Sequence, residues 1–355
     1  MSICKLFLGV LSLGLLMAPV LAQDIGSVKT VKGNAWIERG SNKMVATVGT
    51  ALQAKDRVVT DANATAGLTL RDNTLLSVGP GSILEMNRYA FDATSHKGEM
   101  DASVKRGSLS VISGKIAKAN PESVKFNTAT VTLGVRGTEF ILEAGDDVKA
   151  GMWTDQLGNL VQSGTGGAIS SGAVVRPTLA CLLPAPDGKV GVISLTSSIM
   201  SQTQVLNRAY AVLNVQPSGT MSTKQEDAAW IQARYGELLQ ATPKRSESFV
   251  IYFNPNSATQ VTAASVAVID TLKKVVTAWP GVEINVIGHT DTVGSQEVND
   301  KLGLERARTA AALLQSSGLT NIQIEASSRG KRELLIPTGD NVANDQNRRV
   351  EISLR

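Results

Sequence analysis

"GVEINVIGHTDTVGSQEVNDKLGLERARTAAALLQSSG", residues 281–318, changes its period halfway along. Val282, Ile284 and Val286 alternate with polar neighbours, the spacing of a half-buried strand. After Ser295 the apolar positions recur at helical spacing, and Leu302, Ala310, Leu313 and Leu314 fall on the face expected to meet a sheet. Gly288 and Gly294 frame the turn between the two, where backbone can come close to a ligand. Ser295 is placed to cap the helix, with Gln296 and Glu297 in its first turn and Gly318 placed to end it. A strand running into a helix through one short loop belongs to an α/β fold.

The flanking segments complete that unit. "SFVIYF" (248–253) reads as a strand, and the following segment as a helix with Val261, Ala264, Val268, Ile269, Leu272 and Val276 on one face. "NIQIEAS" and "QNRRVEISL" supply two more strands, the latter with Val350, Ile352 and Leu354 facing one way. Residues 247–355 are therefore expected to form a β-α-β-α-β-β sandwich, helices on one side of a mixed sheet.

Two opposite charges stand out in it. Asp291 sits in the turn, while Asn299 and Arg306 lie seven residues apart, about 20° short of two full helical turns and so on one face. Helical side chains lean toward the N-terminus, which aims Arg306 back at the Asp291 loop. A carboxylate and a guanidinium held apart on one rim suit a zwitterion, the first taking an ammonium and the second a carboxylate. Asn254, Thr290 and Gly294 are placed to line the same pocket as neutral donors and acceptors. A turn cap beside a solvated arginine, or a mutual salt bridge, fits the same residues.

"GHTDTVGSQEVNDKLGLERARTAAALLQSSG" and "DNVANDQNRRVEISL" resemble the core motif and closing strand of the OmpA-like peptidoglycan-binding domain, over residues 247–355. Asp291, Asn299, Leu302, Arg306-Ala307 and Asn347-Arg348-Arg349-Val350-Glu351 fall in register with that motif. The resemblance implies that Asp291 and Arg306 grip diaminopimelate, which carries a free ammonium and carboxylate in the wall's peptide stem. Gly303 departs from the pattern, standing where the family has serine, and Asn254 follows Phe253 where an aspartate is usual. A glycine there is expected to loosen the helix by about 0.5–1 kcal/mol.

Residues 23–195 read otherwise. Short alternating segments such as "AGLTLRDNTLLSVGPGSILEM" and "VKFNTATVTLGVRGTEFILEAG" recur, broken by Gly, Asp and Asn. This is an all-β pattern, and the scarcity of aromatics, 4% of the chain, suits a solenoid-like or sandwich sheet with small inward residues. "LQAKDRVVTDANATAGLTLRDNTLLSVGPGSIL", "RGSLSVISGKI" and "TATVTLGVRGTEF" are similar to the FecR domain, a periplasmic module that senses a ligand or partner. The resemblance implies an unidentified protein or ligand for this half. Arg136 and Glu139 in its most distinctive piece are expected to form a strand-end ion pair. Between the halves, residues 196–246 show three-and-four spacing and read as two amphipathic helices forming a connector.

Residues 1–22 carry Lys5, an apolar run to Leu16 and Val20-Leu21-Ala22 before Gln23, the pattern of a secretory signal peptide, with an uncleaved inner-membrane anchor as the competing reading. Removal of the signal peptide leaves Cys181 as the one thiol, which cannot form an internal disulfide and is expected to be a small buried hydrophobe. The formal charge of +4 comes from interspersed signs with no run of five like charges, so no nucleic-acid footprint is present. Two histidines, His96 and His289, and no GxSxG, HExxH or metal-spaced cluster argue against an enzyme and against any cofactor. His289 reads as a turn residue at the sheet edge. The sequence thus points to a periplasmic, wall- or outer-membrane-associated binding protein.

Overall fold

The computed structural model describes residues 23–145, 152–154, 160–162, 176–254, 257 and 259–355. The expected signal peptide lies outside them, as does most of the 158–172 segment read as strand.

Between Asp24 and Gln225, seventeen strands join into one hydrogen-bonded sheet that folds over a single apolar core. Strand Gly98–Ile112 belongs to both layers. Its first part pairs with Ile83–Phe91, and its second with Leu75–Val78 and Glu139–Ala144. The switch falls at Gly107, whose φ is +78° and where a Cβ would lie 2.1 Å from Ser82 Oγ. A glycine is what allows the strand to bend there. Phe126 and Phe140 meet edge to face inside the core, centroids 5.3 Å apart. The expected all-β half is what these residues build.

The expected helical connector is corrected in its first part. Thr203–Leu206, Ala211–Val215 and Met221–Gln225 are strands that continue the β-unit, and Ala228–Gln240 is the helix of this segment. Ala211–Val215 misled the reading because both its faces are covered. Leu213 and Val215 enter the sandwich core, while Val212 packs with Ile231, Tyr235 and Leu238 of the helix. A strand buried on both sides loses the period of two. Cys181 is in the same helix-covered cluster, fully buried, and burial pushes its thiol up to about 12.

The C-terminal unit follows the expected order. Its elements are β1 (Glu247–Tyr252), α1 (Ala263–Thr277), β2 (Ile284–His289), α2 (Gln296–Ser316), β3 (Ile324–Gly330) and β4 (Arg349–Leu354). The sheet runs β1-β4-β2-β3, with β2 and β3 parallel and β4 antiparallel to both its neighbours. Ile269, Leu272 and Val276 of α1 and Ala307, Ala310 and Leu314 of α2 share one core with Ile284, Val286, Val350, Ile352 and Leu354. Among the described residues no helix is long and apolar enough to cross a membrane.

The opposite face of this sheet meets the β-unit. Glu283 accepts from Ser27 Oγ, from Lys29 Nζ at 2.9 Å, and from Arg355 Nε at 3.1 Å. Lys29, its side chain 3% exposed, also donates to Gly281 O at 2.7 Å and Arg355 O at 3.1 Å, so its three protons all have acceptors. Arg71 pairs with Glu325, and Arg329 reaches Thr94 O. Glu139, expected to pair with Arg136, instead holds Arg245 of the linker at 2.8 Å.

Candidate ligand-binding site

The loop after β2 is held by polar bonds to the segments around it. Thr290 N donates to Gly330 O at 3.0 Å, and Thr292 Oγ1 donates to Gly339 O at 2.6 Å while accepting from Val342 N at 2.9 Å. Gly294 has φ +88°, and its N donates to Asn341 Oδ1 at 3.3 Å. Asn299, buried on α2, donates through Nδ2 to Val293 O and Ser295 O, both at 2.9 Å. Ser295 caps the helix by accepting from Val298 N, as expected. The loop is thereby clamped between α2 and residues 339–344.

α2 comes unusually close to β2. A Cβ on Gly288 would stand 1.8 Å from Gly303 O, and one on Gly303 would stand 2.3 Å from Ser328 Oγ. The glycine expected to loosen the helix therefore lets it settle against the sheet, and the buried stripe is Asn299, Gly303, Arg306, Ala307, Ala310 and Leu314. Close seating carries Arg306 inward with it.

Asp291 is 7% exposed. Its Oδ1 accepts from Val293 N at 3.3 Å, and its Oδ2 from Asn344 N at 3.3 Å and Arg348 Nη1 at 2.7 Å. Arg348 also pairs with Asp345. Arg306 is 6% exposed, and its Nε and Nη1 have no hydrogen-bond partner. No ion pair joins it to Asp291 among the described residues, although that carboxylate is near enough to favour its charged form. Burial, then the neighbouring Arg348 cation, pulls the guanidinium below its ordinary pKa.

Arg306 opens onto a cavity of about 260 Å³ lined also by Tyr252, Phe253, Asn254, Thr262, Asp345, Gln346 and Arg348. Of the residues picked from sequence, Arg306 and Asn254 reach this cavity. Asp291 stands behind Arg348, while Thr290, Gly294 and Asn299 shape the loop rather than the lining. Arg348, in the "NRRVE" run, reads from sequence equally as a pocket residue or a brace of the sheet; its place in the lining follows from its bond to Asp291, which closes only in three dimensions. Phe253 and Thr262 flank the end of β1 and the cap of α1, and nothing in their local pattern marks them.

His289 is corrected too. It ends β2 fully buried rather than at an edge, with Nδ1 3.2 Å from Glu333 O and Nε2 without a hydrogen bond. Burial, then Arg349, lowers its pKa to about 4, so it is neutral at pH 7. Among the described residues no group of three His, Cys, Asp or Glu could hold a metal ion.

Known proteins bear on both halves. Residues 252–348 match the model of the OmpA family, and residues 56–152 that of the FecR protein. A 72-residue stretch is 42% identical to the peptidoglycan-associated lipoprotein of Legionella pneumophila, covering 20% of this chain and 41% of that protein. Another of 104 residues is 30% identical to the probable lipoprotein YiaD of Escherichia coli (strain K12), covering 29% and 47%. The chain thus spans less than half the length of these two relatives. Among solved structures, the peptidoglycan-associated lipoprotein from Burkholderia pseudomallei is 28% identical, with a TM-score of 0.27, over 30% of this chain and 89% of that one. A FecR-like unit is here joined to an OmpA-like one.

Proposed function

We propose that this is a non-enzymatic protein of the periplasm that binds peptidoglycan non-covalently through the cavity at Arg306, gripping the diaminopimelate of the stem peptide. Its FecR-like unit presents a surface to a protein or ligand of another kind. The observation that carries the reading is Arg306 itself: a guanidinium 6% exposed, facing a cavity, with two nitrogens lacking acceptors. A buried, unanswered charge is costly unless a ligand supplies its counterpart. A carboxylate does so, and guanidinium binds it through two parallel bonds.

The second charge of a zwitterion falls to Asp291. At present that carboxylate holds Arg348, whose side chain is 29% exposed. The ligand's ammonium takes over from Arg348 Nη1, and the displaced guanidinium is left beside the incoming carboxylate. The match to the OmpA family and the name of the Legionella relative support the choice of wall peptide. Many repeating stems on one sacculus compensate a modest single-site affinity by rebinding.

The test is co-sedimentation with purified sacculi, with free diaminopimelate as competitor. Wild type is expected to pellet, Arg306→Ala to stay in the supernatant, and walls with lysine in place of diaminopimelate, which lack the side-chain carboxylate, to retain little. An Arg306→Ala protein that pellets like wild type would remove the site assignment. An N-terminus at Gln23 in protein recovered from cells would support export. The match of residues 56–152 to the FecR protein favours a second reading, in which sensing is the main task and the wall only positions the sensor. Capture of the same partner by wild type and Arg306→Ala would support it.

A further inference from the structure

Most charges at the junction of the two units are answered, but among the described residues Lys115 and Lys118 have no ion pair. Lys115 opens the short helix Lys115–Ala119 of the β-unit, held there by its backbone N, which donates to Asp72 O at 2.8 Å. Its ammonium is half-buried and has neither an ion pair nor a side-chain hydrogen bond among the described residues. The charged groups that act on it most strongly are Glu351, Glu333, Arg329 and Arg355, all from the C-terminal unit, and His96 of the β-unit also feels its charge. Both carboxylates are already engaged, Glu351 by Ser248 Oγ at 2.9 Å and Glu333 by Arg329 at 2.6 Å. Two of the four neighbours repel it.

Lys115 borders a cavity of about 340 Å³ that both units line. The β-unit contributes Lys118, which also has no ion pair among the described residues, and Asn73, whose Oδ1 is buried without a donor. The linker and the sheet contribute Arg245, Ser246, Ser248 and Glu351. Arg245 is answered by Glu139, which leaves Lys115 and Lys118 as the cations of this lining that have no ion pair. A larger cavity of about 590 Å³ shares Lys118 and Arg245, so the opening continues outward. Its volume suits a small molecule, and its polar lining orients one: ammonium groups for an oxyanion, and an unanswered amide oxygen for a hydroxyl or other donor.

We propose that this junction cavity binds a small organic oxyanion, a carboxylate or phosphate ester that also carries a hydroxyl, with Lys115 and Lys118 holding the charge and Asn73 accepting from the hydroxyl. The site is separate from the wall cavity and would tie the FecR-like unit to the sheet of the OmpA-like one. Because Ser246 and Ser248 come from one side and Lys115 from the other, an occupant spans the junction.

Isothermal titration of the full exported chain with tartrate and with glycerol 3-phosphate tests it, and the pair tells carboxylate from phosphate. At least one is expected to bind with one site per chain, and to do so equally in Arg306→Ala. Lys115→Met is expected to weaken binding by about tenfold or more, the worth of one charge-assisted contact. Lys115→Arg should retain most of it. Lys118→Gln with Ser246→Ala, both at exposed positions, should weaken it several-fold even where Lys115→Met does not fold. Absence of binding by both probes overturns the proposal. Affinity unchanged by all the junction variants, or lost in Arg306→Ala, overturns it as well.

Discussion

Arg306 and Asp291 were both visible in the sequence as charges, yet the structure gives them unlike energetic roles. Arg306 is buried without acceptors, so Arg306→Ala removes an uncompensated charge and is expected to leave the unfolding midpoint unchanged or raised. Asp291 accepts from two backbone amides and from Arg348. Asp291→Ala leaves those donors unanswered, and urea denaturation should show a loss of about 1–3 kcal/mol. Equal loss in both variants would mean that the Arg306 nitrogens find partners in solution. His289 gives a pH dependence whose sign follows from its burial. Its folded pKa of about 4 lies below the ordinary 6.5, so the unfolded chain takes up the proton first as pH falls. Stability is then full above pH 6.5 and declines toward pH 4, by up to about 3 kcal/mol from this residue. His96 is shifted the same way, to about 4, by burial and then Lys115 and Arg329, and adds to the decline. Urea midpoints at pH 7.5, 5.5 and 4.5 should shrink in wild type and less in His289→Gln. Single residues were readable as chemistry; their partners, 57 residues away in the case of Arg348 and Asp291, were not.

At the level of elements, the alternation around Ile284 and the caps at Ser295 and Gly318 make β2 and α2 legible in the sequence. Their closeness is not. Gly288 and Gly303 each look like weak points in a regular element, and only the pair in contact explains both. Restoring serine at 303 is therefore expected to destabilise rather than strengthen α2. Gly303→Ser must push against Ser328 Oγ, and overpacking of this kind costs about 1–3 kcal/mol. Thermal unfolding checks it, and a stabilised variant would show that helix propensity outweighs the contact. The strand Ala211–Val215 teaches the complementary lesson. Its apolar run "AVLNV" matches helical spacing by accident, since the helix Ala228–Gln240 covers the face that solvent would have marked with polar residues.

At the scale of the molecule, the sequence places helices on one side of the C-terminal sheet and assigns nothing to the other, which is a docking face for the β-unit. Nothing local in "VEIN" says that Glu283 will meet Lys29, 254 residues away. Burial alone would raise Glu283, but Arg355 and Lys29 outweigh it and hold the carboxyl below its ordinary pKa. Removing Glu283 leaves both Lys29 and Arg355 buried without their carboxylate, so Glu283→Ala is expected to cost about 3–5 kcal/mol, while Lys29→Met with Glu283→Leu, which leaves Arg355 alone unanswered, costs less. Calorimetry should show the single variant splitting one melting transition into two. Two unchanged transitions in every variant would mean that the junction contributes nothing to cooperativity. The helix Ala228–Gln240 also bears on how the FecR-like half is handled in the laboratory. A fragment ended at residue 195, where the periodicity changes, would strip the lid from Ile141, Cys181 and Leu183 and leave Thr178–Leu183 with a bare edge. Such a bait would adhere to many proteins through an oily seam of its own making. A fragment carried through Thr242 keeps that seam closed but still bares Lys29 and Arg71, which the C-terminal unit covers, so only what the full chain captures as well reports on the native surface.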